Sequence, residues 1–237
     1  MKRSEKIIIG ILTLGLLAAL AVGGTMAYMT DWEDKENTFS VGTLDVSLEE
    51  KNWDENEDGE DLVPGDTYEK DPVIEGVEND SYVRMRIIIK DTDGNVIRDD
   101  SRLDLIKSMI KYDSTYNANS QTAGTVIVEG ESYSLADIAG LPMVNPGFTE
   151  VNTGKKGEYC FNYGQILKDG DKVALFTNIV VPTDWSQVQL DKIGAFGIDV
   201  VVEAIQAKNF ANAAEAFSAL DNEISAGTIV RNYESGR

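Results

Sequence analysis

Apolar and polar residues alternate with a period of two along much of the chain, a pattern that predicts strands. In residues 38–49, Leu44, Val46 and Leu48 fall on one side and Thr43, Asp45 and Ser47 on the other. That is the signature of a half-buried strand, with Gly42 marking a bulge or a close backbone approach. Residues 67–74 and 81–90 read as further strands separated by a polar connection, 75–80. In the second of these, Val83, Met85, Ile87 and Ile89 make one face; Tyr82, Arg84 and Arg86 share the other with Ile88. Pro64-Gly65 and Asp91-Thr92-Asp93-Gly94-Asn95 are turn signals. Residues 158–163 set Tyr159, Phe161 and Tyr163 against Glu158, Cys160 and Asn162. After a tight turn at Lys168-Asp169-Gly170-Asp171, residues 172–181 read as a strand that stops at Pro182. Residues 193–206 are apolar on both faces, with Phe196, Ile198, Val200 and Val202 opposite Val201 and Ile205. Such a strand is central or covered.

Helical spacing is confined to a few stretches. Leu103, Ile106 and Ile110, widened by Leu105 and Met109, predict a helix over 101–112 capped by Ser101. Residues 113–124 are rich in Asn, Ser, Thr and Gly and read as a surface loop. A short strand is expected at 125–129 and one helical turn at 134–139, before Pro142. Residues 207–222 end the pattern as an Ala-rich helix with Phe210, Ala214, Phe217 and Leu220 in one stripe. Seven or eight short strands separated by turns predict a mainly β fold. The economical form is an antiparallel β-sandwich with one or two short helices in its connections and a C-terminal helix.

The amino terminus changes the picture. Lys2, Arg3 and Lys6 precede an apolar run over 7–22, followed by the small residues Gly23, Gly24, Thr25 and Ala27. This is the layout of a signal peptide, residues 1–27, cut between Ala27 and Tyr28. The run is shorter than the roughly 20 residues of a spanning helix, so no stable membrane anchor is expected after cleavage. What remains is one domain, residues 28–237. The whole chain carries 21 basic and 41 acidic residues; losing Lys2, Arg3, Lys6 and Glu5 takes its net charge from −20 to −22. Such a charge repels nucleic acid and anionic lipid.

Candidate chemistry is sparse. The chain has no histidine and one cysteine, Cys160, which excludes an internal disulfide, a His-based zinc site and a His general base. Nor does it contain a nucleophile elbow, P-loop or dinucleotide fingerprint, so no catalytic residues are assigned. Residues 49–61 hold eight carboxylates in thirteen positions, and Asp54, Asn56 and Asp58 before Gly59 match the opening of a calcium loop. The match fails six residues past that glycine, where a bidentate Glu is needed and Gly65 stands. These three residues are therefore candidate ligands of a weak calcium site at most, against the plainer reading of a solvated acidic loop.

Several segments carry a resemblance. The cleavage site is followed by an aromatic, an Asp and N-T-F-x-x-G-T-L-D-V-S, and then by D-P-V-I-x-x-V-x-N-x-S-Y-V-R. Further on come Y-C-F-N-Y-x-x-x-L-x-x-G-D, L-F-T-N-I-V-V-P-T-D-W and I-D-V-V-V-E-A-I-Q. Together they resemble the secreted biofilm matrix proteins of Gram-positive bacteria that are processed by a SipW-type signal peptidase, the TasA/camelysin-like family. The resemblance implies a jelly-roll-like sandwich, secretion to the extracellular matrix or cell surface, and self-association into fibres. It also implies that residues 28–39 are a donor strand for the next subunit, anchored by Tyr28, Met29, Trp32 and Phe39. In a monomer such an arm is expected to be poorly ordered. Camelysins are described as metalloproteases, an activity that the absence of histidine speaks against here. The alternative is a monomeric secreted adhesin or carbohydrate-binding sandwich, whose aromatic platform would draw on Trp32, Trp53 or Trp185.

Overall fold

The computed structural model describes residues 30–33, 45–50, 62–128 and 133–227. Eleven strands are found among them: β1 (Thr30–Glu33), β2 (Asp45–Glu49), β3 (Thr67–Glu69), β4 (Val73–Val77), β5 (Ser81–Lys90) and β6 (Ile110–Lys111), then β7 (Phe148–Val151), β8 (Glu158–Tyr163), β9 (Lys172–Ala174), β10 (Asn178–Val180) and β11 (Gly197–Gln206). The helices are α1 (Asp100–Met109), α2 (Thr125–Val128), α3 (Leu135–Ile138), α4 (Gln187–Ile193) and α5 (Ala213–Ser225), with a 3-10 turn at Ala207–Asn209. All pairing is antiparallel. A five-stranded sheet runs β1-β11-β5-β8-β7, and two three-stranded sheets run β3-β10-β6 and β2-β4-β9.

The core lies between the large sheet and the two small ones, so the fold is mainly β and layered as a sandwich. Val83, Met85, Ile87, Ile89, Phe161, Val200 and Val202 project from the large sheet onto Val46, Ile74, Val173, Ile110 and Ile179 of the small sheets. Helix α1 closes one side with Leu103, Ile106 and Met109. The opposite face of the large sheet is covered by α5, where Tyr82 and Ile205 meet Ala213, Ala216, Phe217 and Leu220. Strand β5 and residues 200–205 of β11 are thus buried on both faces, as the apolar run over 193–206 predicts.

Tertiary pairing redraws several boundaries. The expected strand 67–74 is two strands in different sheets, broken at Pro72, which has no N–H for a ladder. The expected strand 172–181 breaks at the matching point, because β9 pairs with β4 and β10 with β3. Lys70 N–H donates to Thr177 O at 3.1 Å and Leu175 N–H to Pro72 O at 3.0 Å across this shared corner. Strand β4 also runs on to Val77, into the stretch expected to be a polar connection. Helix α1 starts one residue before its expected cap: Asp99 is the cap, accepting from Arg102 N–H at 2.8 Å. It stops at Met109 because Ile110 and Lys111 are drawn into pairing with β10. The expected strand at 125–129 is a helical turn, α2, whose Val126 and Ile127 N–H groups donate to Asp113 Oδ2 at 2.9 and 3.0 Å. The last helix begins only at Ala213, capped by Asn212, which accepts from Glu215 N–H at 3.0 Å.

At Gly157 the geometry leaves no room for a side chain. Gly157 has φ 79°, and a Cβ there would lie 2.2 Å from the Ile97 carbonyl oxygen. Gly157→Ala is therefore expected to cost roughly 1–3 kcal/mol, read as a lower melting temperature. A change within error would contradict this packing of the β8 entry against residue 97.

Candidate functional site

The large sheet ends at β1, and this edge is where the amino-terminal segment meets the fold. Strand β1 runs antiparallel to β11, with Thr30 opposite Ile205, Asp31 opposite Ala204, Trp32 opposite Glu203 and Glu33 opposite Val202. On its other side β11 is paired with β5 along its whole length, from Gly197 opposite Lys90 to Gln206 opposite Ser81. Four residues of β1 face ten of β11, and among the described residues no strand pairs with 197–201 on that outer edge. An edge of this kind is a template for any extended segment, since main-chain N–H and C=O groups accept a partner regardless of its side chains.

Beneath this edge sits a buried charge network. Val200, Val202 and Ala204 of β11 point into the main core, whereas Glu203 points towards α5 and is fully buried. Glu203 accepts from Arg84 Nε, and its Oε1 accepts from Arg86 Nε at 3.0 Å. Arg84 also forks onto Asp221 of α5, with Nη1 donating to Oδ2 at 2.9 Å and Nη2 to Oδ1 at 2.6 Å. Its guanidinium lies 4.5 Å from the centre of the Phe217 ring. Burial opposes the charge on Arg84, but the hydrogen bond with Asp221 and the charge of Glu203 outweigh it, and the group is held protonated more firmly than usual. The network therefore ties β5, β11 and α5 together, and its Glu203 is the residue opposite Trp32 in the sheet. Cys160, opposite Arg86 on β8, is a packed thiol: burial pushes its pKa up.

Of the residues singled out in the sequence, Trp32 lies on β1 opposite Glu203. Ala27, Tyr28, Met29 and Phe39, like Asp54, Asn56 and Asp58, lie outside the described residues. A poorly ordered arm was the expectation for a monomer; residues 30–33 are instead a strand on the chain's own β11. Trp185 is 7% exposed and packs in the main core, so it offers no platform to a sugar. The grouping of Glu203, Arg86 and Asp221 is a feature that the sequence pattern does not reveal. The available signal was a lone Glu inside Val-Val-Val-Glu-Ala-Ile, matched by two Arg on the polar face of residues 81–90.

The arrangement is that of a β-sandwich whose open sheet edge is completed by an amino-terminal strand. Over residues 2–140, more than half its length, the chain matches the family model described as camelysin metallo-endopeptidase, and it belongs to that family. The family includes TasA-like biofilm matrix proteins. No curated protein and no solved structure matches the chain. The family's description raises a metal centre, and the donor set does not fit one of the peptidase kind. The chain lacks histidine altogether, and no three of the described Asp, Glu or Cys residues gather as a metal-binding group. Among the described residues no helix is long and apolar enough to cross a membrane.

Proposed function

We propose that this protein is a secreted structural subunit of an extracellular matrix, which polymerises by passing its amino-terminal strand to the β11 edge of the next copy. The observation that supports this reading is the pairing of Thr30–Glu33 with residues 202–205, which matches a specific segment to a specific edge. A strand that docks on its own edge docks equally well on the same edge of a neighbour, because the main-chain bonds are identical. Export by a SipW-type peptidase, with cleavage between Ala27 and Tyr28, frees that segment to move. Self-association is the only partnership this reading needs. Calcium at Asp54, Asn56 and Asp58 stays outside it as a separate proposal.

The test is a disulfide trap. Directly opposed residues of an antiparallel pair are about 4.5–5.5 Å apart at Cα, within range of a disulfide. In a Cys160→Ser background, Thr30→Cys together with Ile205→Cys is expected to give a ladder of covalent multimers when fibres are oxidised. Only internally closed monomers from fibre-forming samples would mean that the strand never leaves its own subunit, and the exchange reading would fall.

A further inference from the structure

Three polar residues stand in a row across the sheet β3-β10-β6. Asn178 on the central strand is directly opposite Lys111 of β6 on one side and Glu69 of β3 on the other. Directly opposed residues on antiparallel neighbours share a face, with Cβ atoms about 4.5–5.5 Å apart. Tyr68, Ile110 and Ile179, one position along each strand, pack towards the main core, so the row faces the other way. On that side Ile127 and Ile138 pack on Val180, two positions along β10 from Asn178.

Both side chains of the central pair are largely buried, and the Asn178 amide is left half-satisfied. Asn178 is 1% exposed and Lys111 is 7% exposed. Asn178 Oδ1 accepts from Thr177 Oγ1 at 2.7 Å, but its Nδ2 donates to nothing among the described residues. The Lys111 ammonium group likewise has no ion pair or hydrogen bond among them, and burial pushes its pKa below the ordinary lysine value. A half-satisfied buried carboxamide is destabilising, and native structures seldom keep one.

We propose that Lys111 and Asn178 are joined by an intramolecular isopeptide bond that forms once the chain has folded. The unprotonated Nζ of Lys111 attacks Cγ of Asn178, and the Nζ–Cγ bond forms. Negative charge gathers on Oδ1, where the Thr177 hydroxyl already donates. The Cγ–Nδ2 bond then breaks, a proton passes from Nζ to Nδ2, and ammonia leaves. Atoms balance without any oxidant, reductant or co-reactant. Glu69, the other neighbour of Asn178, is placed to carry that proton. Asp113 is not, because its carboxylate is taken up by Thr115 N–H and Oγ1 and by the N–H groups of Val126 and Ile127. The product replaces the orphaned amide donor of Asn178 with a secondary amide to Lys111. It also braces β6 to β10 in a chain with a single cysteine.

Mass spectrometry of the secreted mature protein tests this directly. The bond predicts a mass about 17 Da below that of the mature sequence, the loss of one ammonia. Trypsin should then leave peptide 108–155 uncut at Lys111 and joined to peptide 173–192. Lys111→Arg and Asn178→Ala should each restore the full mass, and Glu69→Gln should slow bond formation. The wild-type measurement decides even where a variant fails to fold. A full wild-type mass overturns the proposal. So does a 17 Da deficit accompanied by separate 108–111 and 173–192 peptides, which a succinimide would produce.

Discussion

Glu203→Ala is expected to lower unfolding stability by about 3–5 kcal/mol, the largest loss from any single substitution in the charge network. Among the described residues, Glu203 is the only acid that pairs with the Nε of both Arg84 and Arg86, and the side chains of Arg84 and Glu203 are each 1% exposed. Its removal leaves the Nε groups of both arginines without a carboxylate at a buried position, with Asp221 holding only the outer end of Arg84, and this costs more than the pair contributes when intact. Asp221→Ala should cost much less, since that side chain is 45% exposed and water can take its place. Urea unfolding with an unchanged slope would measure both. A loss under about 1 kcal/mol for Glu203→Ala would mean that the network is looser than its geometry indicates. Replacing Arg84, Arg86 and Glu203 together by apolar residues of similar volume should recover much of the loss, because no buried charge is then left alone.

Deleting residues 28–36 should abolish fibre growth while leaving a folded domain. The deletion removes β1, while the core that the described strands and helices build among themselves stays, and β11 keeps its full ladder with β5. Circular dichroism and a cooperative thermal transition should therefore survive. Electron microscopy should show no filaments, because each subunit then has an edge to fill and nothing to fill one with. A peptide of residues 28–39 should bind this truncated protein and not the intact one, whose edge is already occupied. The segment carries Asp31, Glu33, Asp34 and Glu36, so pairing between chains should speed up when salt screens those charges. Filaments from the truncated protein as abundant as those from the mature chain would remove β1 from the assembly.

Where the residue pattern reports burial, the sequence is a good guide to this fold. The alternation over 81–90 and the two-sided apolar run over 193–206 announce strands β5 and β11, and the second announces cover on both faces. The turns at 91–95 and 168–171 are legible because Gly94 and Gly170 take positive φ, which few other residues tolerate. Element ends are less legible. Ile110 and Lys111 look helical in sequence and become a strand, since pairing with β10 satisfies their backbone better than one more helical turn.

The division follows the range of the forces. Strand period, turn chemistry, the signal-peptide layout, the acidic balance and the want of histidine are properties of neighbouring residues or of composition, and the chain states them by itself. The meeting of Arg84 and Arg86 with Glu203 and Asp221, well over 100 residues further along, is decided only when β5, β11 and α5 pack. The same holds for the row Glu69, Asn178, Lys111, drawn from three strands far apart in the sequence. The edge that receives residues 30–33 belongs with these. Main-chain hydrogen bonds read no side chain, so only the order of strands in the sheet could reveal which one was left open.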